Sequence, residues 1–161
     1  MTKVFEDIIA LLKIKQVDFI YREHEPTLTS EDSARVRGES LSSGAKAILY
    51  KIQDEFHLFV MAADRKMDPK KIKTYFKDRG KRVKKTRFAT REELDELTGL
   101  LPGSIPPFGR PILDFDLYVD PSLLENEKIS FNAGSLKHSV TMKLEDFIKV
   151  AEPDIFNFIA D

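Results

Sequence analysis

The chain has 161 residues and a mass of 18.5 kDa, with 42% hydrophobic and 33% charged residues; this is room for one domain, residues 1–161, and excludes both a disordered chain and a membrane-spanning one. Cysteine is absent, which removes disulfide scaffolds, thiol nucleophiles and thiolate zinc sites and fits a reducing cytoplasm. Net charge is −1, yet twelve Lys or Arg stand against three Asp between Asp64 and Arg87, the pattern of a polyanion-binding face or of a solvated helix followed by a basic turn.

The first residues, Met1 to Asp7, turn acidic and then amphipathic, unlike a signal or transit peptide. Phe5, Ile8, Ile9 and Leu12 recur at helical spacing and predict a helix over 2–16. Phe19-Ile20-Tyr21 predicts a short strand that cannot continue past Pro26. Thr29-Ser30 offers cap oxygens to a helix through Val36, stopped near Gly38. From Ala45 to Lys51 the alternation is that of a strand, with Lys46, Ile48 and Tyr50 on one face and Ala45, Ala47 and Leu49 on the other. A turn at Gln53-Asp54-Glu55 returns the chain through Phe56 to Met61 as a hairpin.

Pro69 suits the first turn of a helix with Ile72, Tyr75 and Phe76 on one side and Lys70, Lys71, Lys73 and Lys77 on the others. Thr90-Arg91-Glu92-Glu93 matches a capping box, and the helix it opens meets Gly99 as a stop. Residues 101–111 are too rich in Pro and Gly for helix or central strand and form a shaped loop. Strands follow at Leu117–Val119, Ile129–Asn132 and Ser139–Met142, and a helix from Glu145 is broken at Pro153. Helices and strands without regular alternation predict an α+β domain.

For chemistry, the three histidines, His24, His57 and His138, lack the i, i+4 spacing of a helical metal pair. No Gly-x-Ser-x-Gly elbow is present. The run from Gly38 to Ala47 superficially resembles a phosphate loop but misses on spacing, puts Ala47 where a hydroxyl should stand, and has its flanks reversed. Lys46 is more informative. An ammonium at the start of an apolar strand either snorkels to the rim or meets an anion. The loop from Gly103 to Pro107 is either a structural crossover or a small oxyanion site built from main-chain amides.

The ordered set Glu23-His24-Glu25-Pro26, Thr29-Ser30 with Ala34, Gly44-Ala45-Lys46-Ala47, Ala63 to Asp68, Thr98-Gly99, Gly103-x-x-x-Pro107 with Phe108-Gly109, and Asn132-Ala133-Gly134 resembles the YbaK/prolyl-tRNA-synthetase-associated editing domain family. The likeness covers nearly the whole chain. It implies a mixed β-sheet, curled toward a barrel and flanked by helices. It also implies a free-standing deacylase that cleaves the ester of a misacylated tRNA carrying a small amino acid of the Ala, Cys, Ser or Thr class, with proline tRNA favoured. Such editing supplies discrimination that a synthetase pocket cannot reach against small side chains.

By the same resemblance Lys46 holds the phosphate or ribose of the terminal adenosine, and the Gly103–Pro107 loop, with Ser104 and Ile105 against the substrate, orients the ester carbonyl. Gly134 is expected near the amino-acid pocket. His138 corresponds to a histidine of synthetase-embedded relatives, at a shorter spacing. His24, Thr29 and Ser30 match pocket-side positions, where a loop-fixing hydrogen bond and a helix cap are the other roles open to them. Water attacks with help from the substrate's own 2′-hydroxyl, so no cofactor and no metal are implied. The expected partners are the tRNA acceptor end, gripped by Lys66, Lys70, Lys73, Lys77, Lys81 and Arg82, and an aminoacyl-tRNA synthetase; the expected state is a cytoplasmic monomer. Two other readings share the residues: a silent tRNA-binding regulatory module, and a small-molecule esterase or nucleotide-binding module.

Overall fold

Alternation in one central hairpin sets the architecture of the computed structural model, which describes residues 2–161. Strand β2 (Ala45–Ile52) pairs antiparallel with β3 (Glu55–Ala62), and both of their faces are covered. Ala45, Leu49, Leu58 and Val60 enter one core; Tyr50, Ile52, Phe59 and Met61 enter another. A strand with apolar residues on both faces must be sandwiched, because each face buries its own surface against a separate layer.

The other elements follow from that need. In chain order they are helix α1 (Lys3–Ile14), β1 (Phe19–Glu23), α2 (Ser30–Arg37), the β2–β3 hairpin, α3 (Pro69–Asp78), β4 (Thr86–Phe88), α4 (Arg91–Thr98), β5 (Leu117–Val119), β6 (Lys128–Asn132), β7 (His138–Lys143), α5 (Leu144–Ala151) and β8 (Asp154–Ile155). Five strands form a mixed sheet in the order β4-β2-β3-β5-β8, with β5 parallel to both β3 and β8. Three form an antiparallel sheet, β1-β7-β6. The larger core lies between the sheets and takes in Phe5, Ile8 and Leu12 of α1, Phe131 and Val140 of the small sheet, and Phe147 of α5. On the opposite face of the five-stranded sheet, Ile72 and Phe76 of α3 pack with Tyr118 and Phe158.

The sheets are curled toward each other without closing: beside the seam a single parallel bridge, Gly44 to Ser130, joins them. A Cβ on Gly44 would stand 3.1 Å from the Ala63 Cβ and 3.2 Å from the Leu41 carbonyl oxygen, so a residue without a side chain suits this approach.

Local signals held in detail. Thr2, Thr29 and Thr90 cap α1, α2 and α4 with their hydroxyls, Glu93 completes the capping box, and Gly38 and Gly99 end their helices in the left-handed conformation. The basic segment runs from helix α3 through a turn at residues 79–80, as the solvated-helix reading has it, and then adds a strand that the sequence did not mark. Its end, Thr86–Phe88, is an edge strand along β2, with Lys51 opposite Arg87. No helix of the described residues is long and apolar enough to cross a membrane.

Candidate active site

At the seam, where α2, the start of β2, the loop after α4 and the end of β6 converge, lies a cavity of about 220 Å³. Lys46, Gly103, Ile105, Thr29 and Ser30 line it together with Thr27, Ser33, Arg37 and Asn132. Most come from loops or from the ends of elements, where backbone and side chains can turn inward without breaking a ladder. Neither a carboxylate nor an imidazole is among the lining residues.

Lys46 sits opposite Met61 in the hairpin register, on the sheet face that α3 covers. It is half-buried, and its Nζ donates to the Arg65 carbonyl oxygen at 2.7 Å. Burial lowers its pKa, while Asp64 and Glu31 raise it and Lys66 lowers it further. No carboxylate lies within ion-pair distance of it among the described residues.

Gly103 holds φ at +84°, a conformation that glycine adopts without strain. Its carbonyl oxygen accepts 2.8 Å from Asn132 Nδ2, while the amides of Gly103 and Ile105 donate to no protein acceptor among the described residues. The loop is fixed on both sides of these amides. Ser104 is buried and exchanges hydrogen bonds with both backbone groups of Leu101, at 2.7 and 3.1 Å. Phe108 packs edge-on against Phe131 and Phe147 in the core, which buries Pro107 beside it.

A polar network backs the cavity. Asn132 Oδ1 accepts from Arg37 Nη2 at 2.9 Å, and Arg37 Nε donates to Ser139 Oγ at 2.9 Å. Ser139 Oγ lies 2.7 Å from His24 Nε2, and His24 Nδ1 lies 2.7 Å from the Glu25 carbonyl oxygen. A carbonyl only accepts, so Nδ1 is the donor to Glu25, and the Ser139 hydroxyl also lies within 3.3 Å of Asn132 Oδ1 as a donor. His24 therefore stands behind the cavity rather than in its wall. Nearby, Ser33 Oγ donates to Thr27 Oγ1 at 2.9 Å.

The remaining candidates lie elsewhere. Gly134, with φ +77°, packs under α1, where a Cβ would meet Val4 Cγ1 at 3.0 Å, and its amide donates to the Ser104 carbonyl oxygen at 3.0 Å. His138 is buried against Phe5 and Tyr21, accepts or donates at 2.8 Å with Ser135, and borders a separate hollow with Thr2 and Glu23. Neither lines the Lys46 cavity, nor do Ser104 and Pro107.

Of the basic residues, Arg65, Lys71 and Arg87 are ion-paired, with Asp64, Asp161 and Glu93 respectively. Lys66, Lys70, Lys73, Lys77, Lys81 and Arg82 have no such partner among the described residues, so their charge is open to solvent on α3 and the segments flanking it.

Sequence reasoning passed over Arg37 and gave Asn132 no role. Arg37 reads as an ordinary last-turn cation of α2, and nothing local shows that it turns inward toward residues about a hundred positions later in the chain.

Residues 24–150 match the aminoacyl-tRNA editing domain family. The chain is 36% identical over 157 residues to the Multifunctional Ser/Thr-tRNA deacylase ProXp-y of Escherichia coli (strain K12), covering 94% of this chain and 90% of that one. A solved candidate trans-editing enzyme for prolyl tRNA synthetase has a TM-score of 0.82 at 18% identity, covering 100% of this chain and 99% of its own. A scaffold protein for epitope backbone grafting has the same TM-score of 0.82 at 15% identity over 100% of both chains. These two likenesses concern the fold. With the sequence match spanning the cavity-lining elements from α2 to β6, the chain belongs to the aminoacyl-tRNA editing domain family.

Proposed function

We propose that the protein hydrolyses the ester between a wrongly attached small amino acid and the 3′-terminal adenosine of a tRNA. The observation that carries this is the cavity itself: a cation, and a loop whose Gly103 and Ile105 amides donate to no protein acceptor among the described residues, line a space whose lining holds no carboxylate or imidazole. Such a site suits a substrate that brings its own proton carrier, here the ribose 2′-hydroxyl, and needs from the protein chiefly orientation and stabilisation of charge. Lys46 at the rim holds the terminal phosphate or ribose, and the Gly103 and Ile105 amides orient the carbonyl.

The hydroxyls of Thr27, Thr29, Ser30 and Ser33 make one side of the cavity polar. That favours a hydroxylated amino acid, serine or threonine, over alanine or cysteine, in keeping with the name of the Escherichia coli relative. The unpaired lysines on and beside α3 grip acceptor-stem phosphates without base readout. The substrate is then supplied in the cytosol by the synthetase that mischarges the tRNA.

The test is deacylation of Ala, Cys, Ser and Thr carried on proline, alanine and threonine tRNAs. Release of serine or threonine in preference to alanine and cysteine is the expected result. Salt-sensitive tRNA binding with no release of any amino acid would replace the hydrolase with a silent RNA-binding module.

A further inference from the structure

Arg37 ends α2 with its side chain turned into the protein, and the residue is only 8% exposed. A buried guanidinium is ordinarily paired with a carboxylate, since an uncompensated charge is costly away from water. Here no carboxylate lies within ion-pair distance of it among the described residues; the nearby Glu39 is 3.6 Å from Arg22 instead. The groups that Arg37 does meet, Ser139 Oγ and Asn132 Oδ1, are neutral and occupy Nε and Nη2. Burial, and then Arg22, push its pKa down to about 10, so it stays cationic at neutral pH.

The third nitrogen is different. Nη1 donates to no protein acceptor among the described residues and lies 3.8 Å from where a Cβ on Gly44 would stand, beside the cavity that both residues line. Asn132 fixes its position relative to the loop. One carboxamide accepts from Arg37 Nη2 through Oδ1 and donates to the Gly103 carbonyl oxygen through Nδ2. The guanidinium and the Gly103 carbonyl are thus held by one rigid planar group.

We infer that Arg37 is a further catalytic residue of the deacylation, with Nη1 donating to the ester carbonyl oxygen of the aminoacyl group and holding the oxyanion that forms there. The inference rests on the deacylase reading. Water forms a bond to the carbonyl carbon, and the C=O π pair moves onto the oxygen facing Nη1. One water proton passes to the 2′-hydroxyl as that group's own proton passes to the 3′-oxygen. The oxyanion's pair then re-forms the C=O bond as the carbon–oxygen ester bond breaks, leaving the free amino acid and a tRNA with its 3′-hydroxyl restored. A fixed cation without a carboxylate partner gains most when the oxygen becomes anionic, so it acts on kcat more than on binding. Lys46, half-exposed at the rim, is the cation placed for the backbone phosphate.

The experiment compares wild type, Arg37→Ala and Arg37→Lys in steady-state hydrolysis of a mischarged tRNA, with millimolar guanidinium added to each and folding followed by thermal unfolding. The expected result is a fall in kcat of about 10²–10³-fold for Arg37→Ala with KM little changed, and recovery of at least tenfold when guanidinium enters the truncated site. Arg37→Lys, which keeps the charge but loses the planar fork, falls between. A kcat within threefold of wild type, a loss confined to KM, or a folded Arg37→Ala that guanidinium leaves unimproved would each overturn the assignment. If Arg37→Ala does not fold, Arg37→Gln against Arg37→Lys decides it: equal kcat values in the two overturn it. Wild type failing to release any amino acid overturns the deacylase reading instead.

Discussion

The Lys46 ammonium donates to the carbonyl oxygen of Arg65, 19 residues away, at 2.7 Å. That contact joins the cavity rim to the start of the basic segment. Lys46→Ala removes one exposed hydrogen bond and no core contact, so a fall in melting temperature of no more than a few degrees is expected, while kcat/KM for deacylation falls about 10²-fold or more. Turnover and thermal unfolding measured on the same preparation check this. Normal turnover would remove Lys46 from the site.

Asn132→Asp keeps the size of the side chain but replaces the Nδ2 donor to Gly103 with an acceptor, and it brings a negative charge to Arg37. The Gly103 carbonyl is left facing an oxygen, and the guanidinium is neutralised by an ion pair. Deacylation is expected to fall about ten- to a hundredfold through kcat. A variant with wild-type kcat would show that neither the loop nor Arg37 depends on this amide.

The unpaired cations of α3 should act by mass charge rather than by specific contact. The triple change Lys70→Glu, Lys73→Glu, Lys77→Glu is expected to raise KM for tRNA strongly and to flatten the plot of log affinity against log salt by about 2–3 units of slope, with kcat at saturation little altered. Filter binding between low and moderate salt reads the slope. An unchanged slope would place the tRNA elsewhere on the surface.

His57 gives the fold a built-in acid sensitivity. It is buried against Phe76 and Tyr118, and its Nδ1 has no hydrogen-bond partner among the described residues. Burial lowers its pKa; Asp116 and Glu55, at 3.9 and 3.8 Å, raise it, and Lys81 and Arg110 lower it further, with a net downward shift. The unfolded chain, with a histidine pKa near 6.5, therefore binds the proton first. Stability is full above about pH 6.5 and declines as pH falls below it. Melting temperatures from pH 7.5 to 5.5 should fall more steeply for wild type than for His57→Phe. Parallel curves would assign the acid loss to other groups.

Much of this was readable from short-range chemistry. Thr29, Thr90 with Glu93, Gly38 and Gly99 act within four residues of themselves, so the helix ends can be read locally. The alternation of β2 showed its two faces, though not that each meets its own core, because that depends on α3 and the chain end around Phe158. Thr86–Phe88 has few apolar residues to mark it, and only its place along β2 makes it a strand. In the site, Lys46, Gly103, Ile105, Thr29 and Ser30 line one cavity although they are spread along the chain from Thr29 to Ile105. His138 and Gly134 do not line that cavity, since α1 packs over them, and the sequence order cannot show which side of β6 and β7 that helix covers. Arg37 was hidden for the opposite reason: its inward turn is decided by Asn132 and Ser139, which are distant in the chain.

Beside the cavity, among the described residues, the two sheets share one backbone rung, between Gly44 and Ser130. Lys46 belongs to one sheet and Asn132 to the other. A bound aminoacyl end that touches both groups would span this joint as a molecular splint. Affinity and cohesion of the joint are then linked in both directions: occupancy should slow amide exchange at Ser130 and its neighbours, and any substitution that loosens the joint should cost affinity even where it touches no ligand.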